Sequence, residues 1–244
     1  MQTPTPAQLL QVWERAGASA ASCGLWLLGI SCEARSAEAL AALPLGQRDA
    51  LLLQLRERLF GAQVSGVANC PQCATTVEAT FRCDDLLLPP TTAAATLQYA
   101  SPTHGIHVQF RLPDSNDLLA LETCVDSAQA RQDLLKRCVL AVECDAEPRA
   151  VHALPAELQM QIAHAMAQAD PQADLQLAFT CPQCAHRWQP PFDIAHFLWQ
   201  ELHAWALRML RDVDTLAHAY HWHEADILAL SPRRRQAYLE LCAS

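Results

Sequence analysis

One five-residue sequence occurs twice in this 244-residue chain, and it constrains the fold more than any other feature. Cys-Pro-Gln-Cys-Ala stands at residues 70–74 and again at residues 181–185. A Cys-x-x-Cys turn supplies two thiolates, which is half of the tetrahedral set that structural zinc prefers. A complete site therefore requires the two copies to meet in space, although about a hundred residues separate them. Loop-closure entropy grows only slowly with loop length, so this separation is acceptable.

We predict one structural Zn²⁺ per chain, bound by Cys70, Cys73, Cys181 and Cys184. Two alternatives stay open at this point: two separate or degenerate knuckles, and a redox-active cysteine pair. A thioredoxin-like redox pair opens a helix after a strand. Here the first copy is followed by residues of β-like composition, and two prolines soon follow the second copy. The shared zinc site is therefore the favoured interpretation.

Both copies end in alanine, at Ala74 and Ala185. Zinc-ribbon knuckles commonly carry glycine there, because this position takes a positive φ. Alanine in that conformation is strained by roughly 1 kcal/mol. The other seven cysteines lack ligand spacing, and we expect them to behave as small buried apolar residues.

Composition favours helix over strand. Ala and Leu are abundant, whereas the chain has only 7 glycines, 3 tyrosines and 6 phenylalanines. We expect an α+β, mostly helical fold, in which helices pack around a small antiparallel sheet that carries a split four-cysteine zinc ribbon. Five segments within one globular unit are expected: an N-terminal helical region (1–61), the first knuckle with a β-hairpin (62–114), a helical insert (115–172), the second knuckle (173–192) and a C-terminal helical region (193–244).

Local patterns predict several helices. A helix is expected over residues 47–60, with Arg48, Arg56 and Arg58 off its apolar face. Ser115 is the expected N-cap of the next helix, and a further helix is expected over residues 129–142.

Three β segments are expected to gather into one small sheet around the metal, at residues 62–82, 96–112 and 173–190. The middle segment is predicted to be a hairpin that turns at residues 102–105.

The charge pattern and the motifs exclude several classes. The net charge of −9 argues against electrostatic binding of nucleic acid by the protein as a whole, although a zinc-ribbon nucleic-acid-binding or regulatory protein stays the alternative. We expect no enzyme, because phosphate-loop, nucleophile-elbow and metalloprotease motifs are absent. We also expect no membrane contact and a cytoplasmic location, since neither a spanning apolar run nor a secretory signal is found.

The C-terminal region combines a long helix with aromatic and basic residues. Apolar residues recur at intervals of three and four from about Asp193 to Tyr220, which predicts a helix with one apolar stripe. The simpler interpretation is that the terminal helices fold back over this surface. The alternative is an open partner site, for which we select Trp222, Arg233, Arg234 and Arg235, because interfaces concentrate aromatic residues and arginine.

Several stretches together resemble a phage protein family. They are Leu-Leu-Leu-Gln-Leu-Arg-Glu-Arg-Leu-Phe-Gly at 51–61, Phe-Arg-Leu-Pro-Asp-Ser-Asn-Asp-Leu at 110–118, the second cysteine pair with Pro-Phe-Asp-Ile at 191–194 and Phe-Leu-Trp at 197–199, and the tail at 220–235. The chain is similar to the baseplate hub assembly chaperones of T-even-type contractile phages, whose relatives occur in bacterial clusters that encode phage-tail-like contractile injection systems.

The resemblance implies a non-enzymatic role as an assembly chaperone or a small structural component. The implied partners are baseplate or hub proteins of a contractile tail-like particle. The implied location is the cytoplasm during assembly, with retention in the assembled particle left open.

Overall fold

The structure is a computed structural model, and it describes residues 1–15, 19–89, 96–101, 105–144, 147–151 and 154–242. Within these ranges the helices are α1 Pro6–Trp13, α2 Ala20–Ser31, α3 Ala37–Ala41, α4 Leu45–Phe60, α5 Cys83–Leu86, α6 Ser115–Leu121, α7 Ser127–Cys138, α8 Ala156–Ala169, α9 Ile194–Tyr220, α10 Glu224–Leu228 and α11 Pro232–Cys242. The strands are β1 Gln63–Asn69, β2 Thr76–Arg82, β3 Leu97–Ser101, β4 Ile106–Phe110, β5 Val139–Cys144, β6 Glu147–Pro148, β7 Phe179–Thr180 and β8 Arg187–Trp188. The expectation of a mostly helical chain with antiparallel β structure is confirmed.

The chain divides into two compact units. Met1–Ala34 and Ala195–Ser244 form the terminal unit, and Arg35–Ile194 form the central unit. The four cysteines of the repeated sequence all belong to the central unit. The five segments inferred from the sequence stay a prediction.

The terminal unit is built on the predicted long helix, which is present as α9. Its apolar stripe is buried, as expected: Met209 is 2% exposed and Leu216 is fully buried. Leu10 of α1 and Leu228 of α10 pack in one buried cluster with Met209 and Ala206 of α9. The stripe on α9 therefore forms the core of this unit.

The central unit contains three separate antiparallel sheets, so the prediction of one sheet is wrong. β1 pairs with β2 and β7 pairs with β8, whereas β3, β4, β5 and β6 form a third sheet in that order. This third sheet has its own core, in which Val108 packs with Leu135 of α7 and Ile162 of α8. Helices α7 and α8 thus pack against the hairpin of residues 96–112, which we expected to lie beside the metal. The turn predicted at residues 102–105 lies outside the described residues except for Gly105.

The third sheet includes a segment that was predicted to be helical. The helix predicted over residues 129–142 ends at Cys138, and Val139–Cys144 form β5 instead. Val142 lies opposite Val108 of β4, and both side chains are buried. β-Branched residues suit a pleated, half-buried surface, and a neighbouring strand was available to pair with them. Long-range pairing therefore overrides the local helical pattern.

The N-cap of α6 is Asp114, so the assignment to Ser115 is wrong by one residue. Asp114 Oδ1 accepts the backbone N–H of Asp117 at 3.1 Å, and Asp117 Oδ2 accepts the N–H of Asp114 at 3.0 Å. Asp117 also accepts two hydrogen bonds from Arg111, at 2.6 and 2.8 Å, and one from Arg137 at 2.8 Å. A capping box and an ion-pair cluster with two half-exposed arginines thus share one buried carboxylate.

The first turn of α4 is stabilised from elsewhere in the sequence. Its N-cap is Pro44, which offers no side-chain acceptor. Asp170 Oδ2 instead accepts the backbone N–H of Gly46 at 2.8 Å. Arg48 and Arg56 are 4% and 3% exposed, so the expectation that they lie off the buried face is wrong. Arg48 Nη2 is paired with Asp49 at 2.7 Å, which offsets part of the cost of its burial, while its Nη1 has no hydrogen-bond partner among the described residues.

Candidate metal centre

Each cysteine pair lies in a tight turn between two antiparallel strands. In the first turn the Cys70 N–H donates to the carbonyl of Thr75 at 2.9 Å, and the Ala74 N–H donates to the carbonyl of Cys70 at 2.8 Å. The second turn repeats this pattern. There the Cys181 N–H donates to His186 and the Ala185 N–H donates to Cys181, both at 2.9 Å. The two turns therefore present their cysteines in the same local geometry.

The structure brings the four predicted ligands together. The Sγ atoms of Cys70, Cys73, Cys181 and Cys184 all lie within 4.8 Å of one another. Two contacts that cross between the turns, Cys70–Cys184 and Cys73–Cys181, are each 3.6 Å long. Sulfurs bound to one tetrahedral zinc at about 2.3 Å would lie about 3.8 Å apart. The spacing of the four sulfurs is therefore suited to a single ion.

The electrostatics of the cluster also favour a cation. A hydrogen bond from the Thr75 side chain and another from its backbone lower the pKa of Cys73 to about 6. The His186 amide lowers the pKa of Cys184, but desolvation and the three neighbouring thiols outweigh this and raise it to about 12. One thiolate thus forms readily, and further ionisation is opposed by the other sulfurs. A divalent cation bound by the four sulfurs would stabilise the other thiolates and so favour their ionisation.

Aromatic packing joins the two strand pairs behind the sulfurs. Phe179 of β7 makes an edge-to-face contact with Phe81 of β2, with ring centroids 5.8 Å apart, and it stacks on Trp188 at 5.4 Å. His186 extends the stack on the other side of Trp188, at 6.1 Å. Gly66 of β1 leaves room for Phe179. These contacts hold the second turn against the first, and they place His186 in a packing role.

The arrangement of the four cysteines can be compared with the two alternatives left open by the sequence, two separate knuckles and a redox-active pair. The two turns meet, so two separate knuckles do not describe the fold. Cys73 and Cys184 are followed by strands β2 and β8, whereas a thioredoxin-like pair would open a helix. Four thiol sulfurs within 4.8 Å of one another could together bind one metal ion.

The structure separates the four residues that were selected for partner binding. Arg233 and Arg234 are exposed on α11. Arg235 is paired with Asp212 of α9 at 3.1 Å, and its side chain is only 11% exposed. Trp222 is half-buried and packs in an aromatic cluster with Tyr220 and Tyr238, at centroid distances of 4.7 and 4.8 Å.

Sequence reasoning missed several residues that support the site and the central unit. Thr75 follows the first turn, and its hydroxyl lies 3.2 Å from Cys73 Sγ. Hydroxyl residues beside a Cys-x-x-Cys turn are a usable signal, since they can hydrogen-bond a thiolate. Asp170 accepts from Gly46, which lies far from it in the sequence, and Asp117 accepts from Arg137 of the next helix; the sequence analysis predicted neither contact.

The fold and the site together define a class: a mainly helical protein whose two short β-hairpins meet at a four-thiol cluster. None of the helices in the described residues combines the length and apolar character of a membrane span. The model of the family described as T4 bacteriophage base plate protein matches residues 30–199, which include both cysteine turns. The chain belongs to this family, as the resemblance predicted. No curated protein and no solved structure matches the chain.

Proposed function

We propose that this protein is a non-enzymatic assembly chaperone or small structural component for the baseplate or hub of a contractile phage tail or phage-tail-like injection particle. The observation that carries the proposal is the family match over residues 30–199. Its partners would be baseplate or hub proteins. It would act in the cytoplasm during assembly, and its retention in the finished particle is part of the test.

A structural zinc is part of the proposal. Cys70 and Cys181 are 2% and 1% exposed, and the four sulfurs would fill a tetrahedral coordination shell. Such a shell leaves no open position for a substrate or an activated water. The metal would instead hold β1–β2 against β7–β8, which supports the assignment as a protein without catalytic activity.

Partner binding is proposed for the C-terminal helices. The described part of α11 has no fully buried side chain, and Arg233 and Arg234 are exposed at its start. Arg235 would stabilise this surface through its ion pair with Asp212, and Trp222 would do so by packing in the aromatic cluster. Exposed arginine beside packed aromatic residues is a composition that favours protein interfaces.

The test uses a strain that produces the contractile particle and lacks the chromosomal copy of this gene. Complementation with wild type should restore particle yield, whereas the double charge reversal R233E/R234E should reduce it with unchanged thermal stability of the purified protein. The double reversal R131E/R149E of the central unit, also at exposed arginines, is the matched control. Normal particle yield from the strain without the gene would overturn the proposal.

Two further measurements distinguish a chaperone from a structural component and test for nucleic-acid binding. Immunoblots of purified particles distinguish a chaperone, which would be absent, from a structural component, which would be present. The alternative of a nucleic-acid-binding or regulatory zinc ribbon predicts a salt-dependent gel shift with the zinc-loaded protein. We expect no shift at low salt, because the net charge is −9.

A further inference from the structure

Strand β1 is an edge strand that lacks the usual protection against pairing. Gln63–Asn69 pair only with β2 in the part of the chain that the structure describes. The strand contains no proline and no charged side chain. Val67 at its middle is 66% exposed. Natural edge strands usually carry charges, prolines or bulges that prevent a further strand from adding, and β1 has none of them.

The ladder shows which backbone groups of β1 point outward. The Cys83 N–H donates to the Ala62 carbonyl and the Cys70 N–H donates to the Thr75 carbonyl, so both ends of the ladder are hydrogen-bonded pairs. Antiparallel pairs alternate, so Val64, Gly66 and Ala68 bond to β2. The N–H and C=O groups of the intervening residues therefore point away from β2. These intervening residues are Gln63, Ser65, Val67 and Asn69, and all four have exposed side chains.

The opposite edge of the same ribbon differs. The outward residues of β2 include Glu78 and Arg82, whose charges oppose the addition of a strand. β7 contacts β2, and its Phe179 also lies beside Gly66 of β1, but no strand other than β2 pairs with β1 among the described residues. The free edge of the ribbon is therefore β1.

We propose that β1 is a homodimer interface, in which it pairs antiparallel with β1 of a second copy of this chain about a two-fold axis at Val67. In this register Val67 lies opposite Val67 of the second copy, and Ser65 lies opposite Asn69. Each of these pairs forms two backbone hydrogen bonds. The two hairpins then form one four-stranded sheet, in the order β2–β1–β1–β2.

The sequence of β1 favours a second copy as the occupant. The register places an apolar side chain opposite an apolar one and polar side chains opposite polar ones, which is the self-complementarity that a two-fold interface requires. No like charges oppose each other along the strand, although the chain as a whole carries −9. Pro71 has no N–H, so it ends the ladder just beyond Asn69. The dimer goes beyond the proposed function and does not depend on it.

The first measurement is the molar mass of the zinc-loaded full-length protein by sedimentation equilibrium over a wide concentration range. We expect the mass to rise from 26.9 kDa toward the dimer value as concentration increases. A wild-type protein that stays monomeric at every concentration overturns the proposal.

Charge variants at Val67 test the register. V67E places like charges opposite each other across the dimer and also opposite Glu78 of β2, so it should raise the dimer dissociation constant by at least about tenfold. V67K should raise it by a smaller factor, because Glu78 offsets part of the repulsion between the two lysines. An equimolar mixture of V67K and V67E should restore the dimer, because opposite charges then face each other. Thr80→Lys is the matched control, since it adds the same charge at an exposed residue of β2.

The possible results distinguish a dimer that pairs through β1 from a dimer that forms elsewhere. Loss of the dimer in both single variants with recovery in the mixture supports β1 pairing, and recovery also shows that both variants fold. A dimer that V67K leaves intact lies elsewhere and overturns the proposal. A dimer that T80K disrupts as strongly as V67K also overturns it, since the effect would then come from general repulsion.

Discussion

Ala74 and Ala185 adopt the same left-handed backbone conformation, with φ of 59° and 58°, at equivalent positions of the two cysteine turns. An L-residue with a Cβ is strained in this region, where glycine is not. Each residue donates its N–H back to the carbonyl of the first cysteine of its own turn, and the chain then enters the second strand of the hairpin. The geometry of the four-sulfur cluster is therefore maintained against local strain.

Replacing either alanine with glycine should stabilise the protein. We expect A74G and A185G each to raise the free energy of unfolding by about 1 kcal/mol, because glycine relieves the left-handed strain. Ala68→Gly in β1 is the matched control, and it should destabilise because glycine weakens a strand. Urea unfolding of the zinc-loaded proteins measures all three. Equal destabilisation by the three substitutions would contradict the expectation.

The cluster should bind one zinc ion per chain through four sulfurs at about 2.3 Å. Elemental analysis and X-ray absorption spectroscopy measure these two quantities. Serine at Cys70, Cys73, Cys181 or Cys184 should lower zinc content and thermal stability, because one ligand is lost. Cys124→Ser is the control, since Cys124 lies outside the cluster and its hydroxyl analogue can still donate to the Asp126 carbonyl. Metal-free protein of unchanged stability would exclude a structural ion.

Asp117 should make the protein sensitive to acid. Burial raises the pKa of its carboxyl, but hydrogen bonds from Arg111, the Asp114 amide and Arg137 outweigh burial and lower the pKa to about 2. The unfolded chain has the ordinary value of 3.8. A lowered folded-state pKa contributes stability above pH 4, and this contribution is lost as the pH falls from about 4 to about 2. The loss should reach about 2 kcal/mol.

The measurement compares wild type with Asp117→Asn by urea unfolding between pH 5 and pH 3. The variant should be less stable by about 3 kcal/mol at pH 5, since the two arginines lose their shared partner. The difference should shrink as the pH falls. A metal bound by the four cysteines would be lost from both proteins alike in acid, so the difference between them isolates the carboxylate. Parallel stability curves would show that Asp117 does not titrate as expected. Carbon-13 NMR of wild type would read its pKa directly.

Two glycines in helices should respond to alanine in opposite directions. A Cβ at Gly46 would overlap Asp170 Oδ1, whose carboxylate accepts the Gly46 N–H. Gly46→Ala should therefore destabilise by about 2 kcal/mol, because it displaces the acceptor of the first turn of α4. Gly29 in α2 has no atom within 4 Å of the added Cβ, so Gly29→Ala should stabilise by about 0.5–1 kcal/mol. Thermal unfolding of both variants tests the pair, and the same sign for both would contradict the structural explanation.

The sequence predicted an element correctly where the conformation of that element depends on its own residues. The stripe on α9 was predictable because helical periodicity is read over neighbouring positions. It was a poor guide for Val139–Cys144, where helix α7 gives way to a strand. That strand forms because β4 offers an edge to pair with, and no pattern within residues 139–144 records this.

The sequence by itself determined the composition of the candidate site. Two identical Cys-x-x-Cys turns predict four convergent thiols, since each turn orients its own pair and a tetrahedral ion needs both pairs. Only the tertiary structure decided which strands pair, that Asp117 accepts from Arg137 of α7, and that Asp170 accepts the N–H of Gly46 in the first turn of α4. These features depend on contacts between residues far apart in the chain. Their free energy comes from burial and hydrogen bonding in the folded state, which the order of residues along the chain does not display.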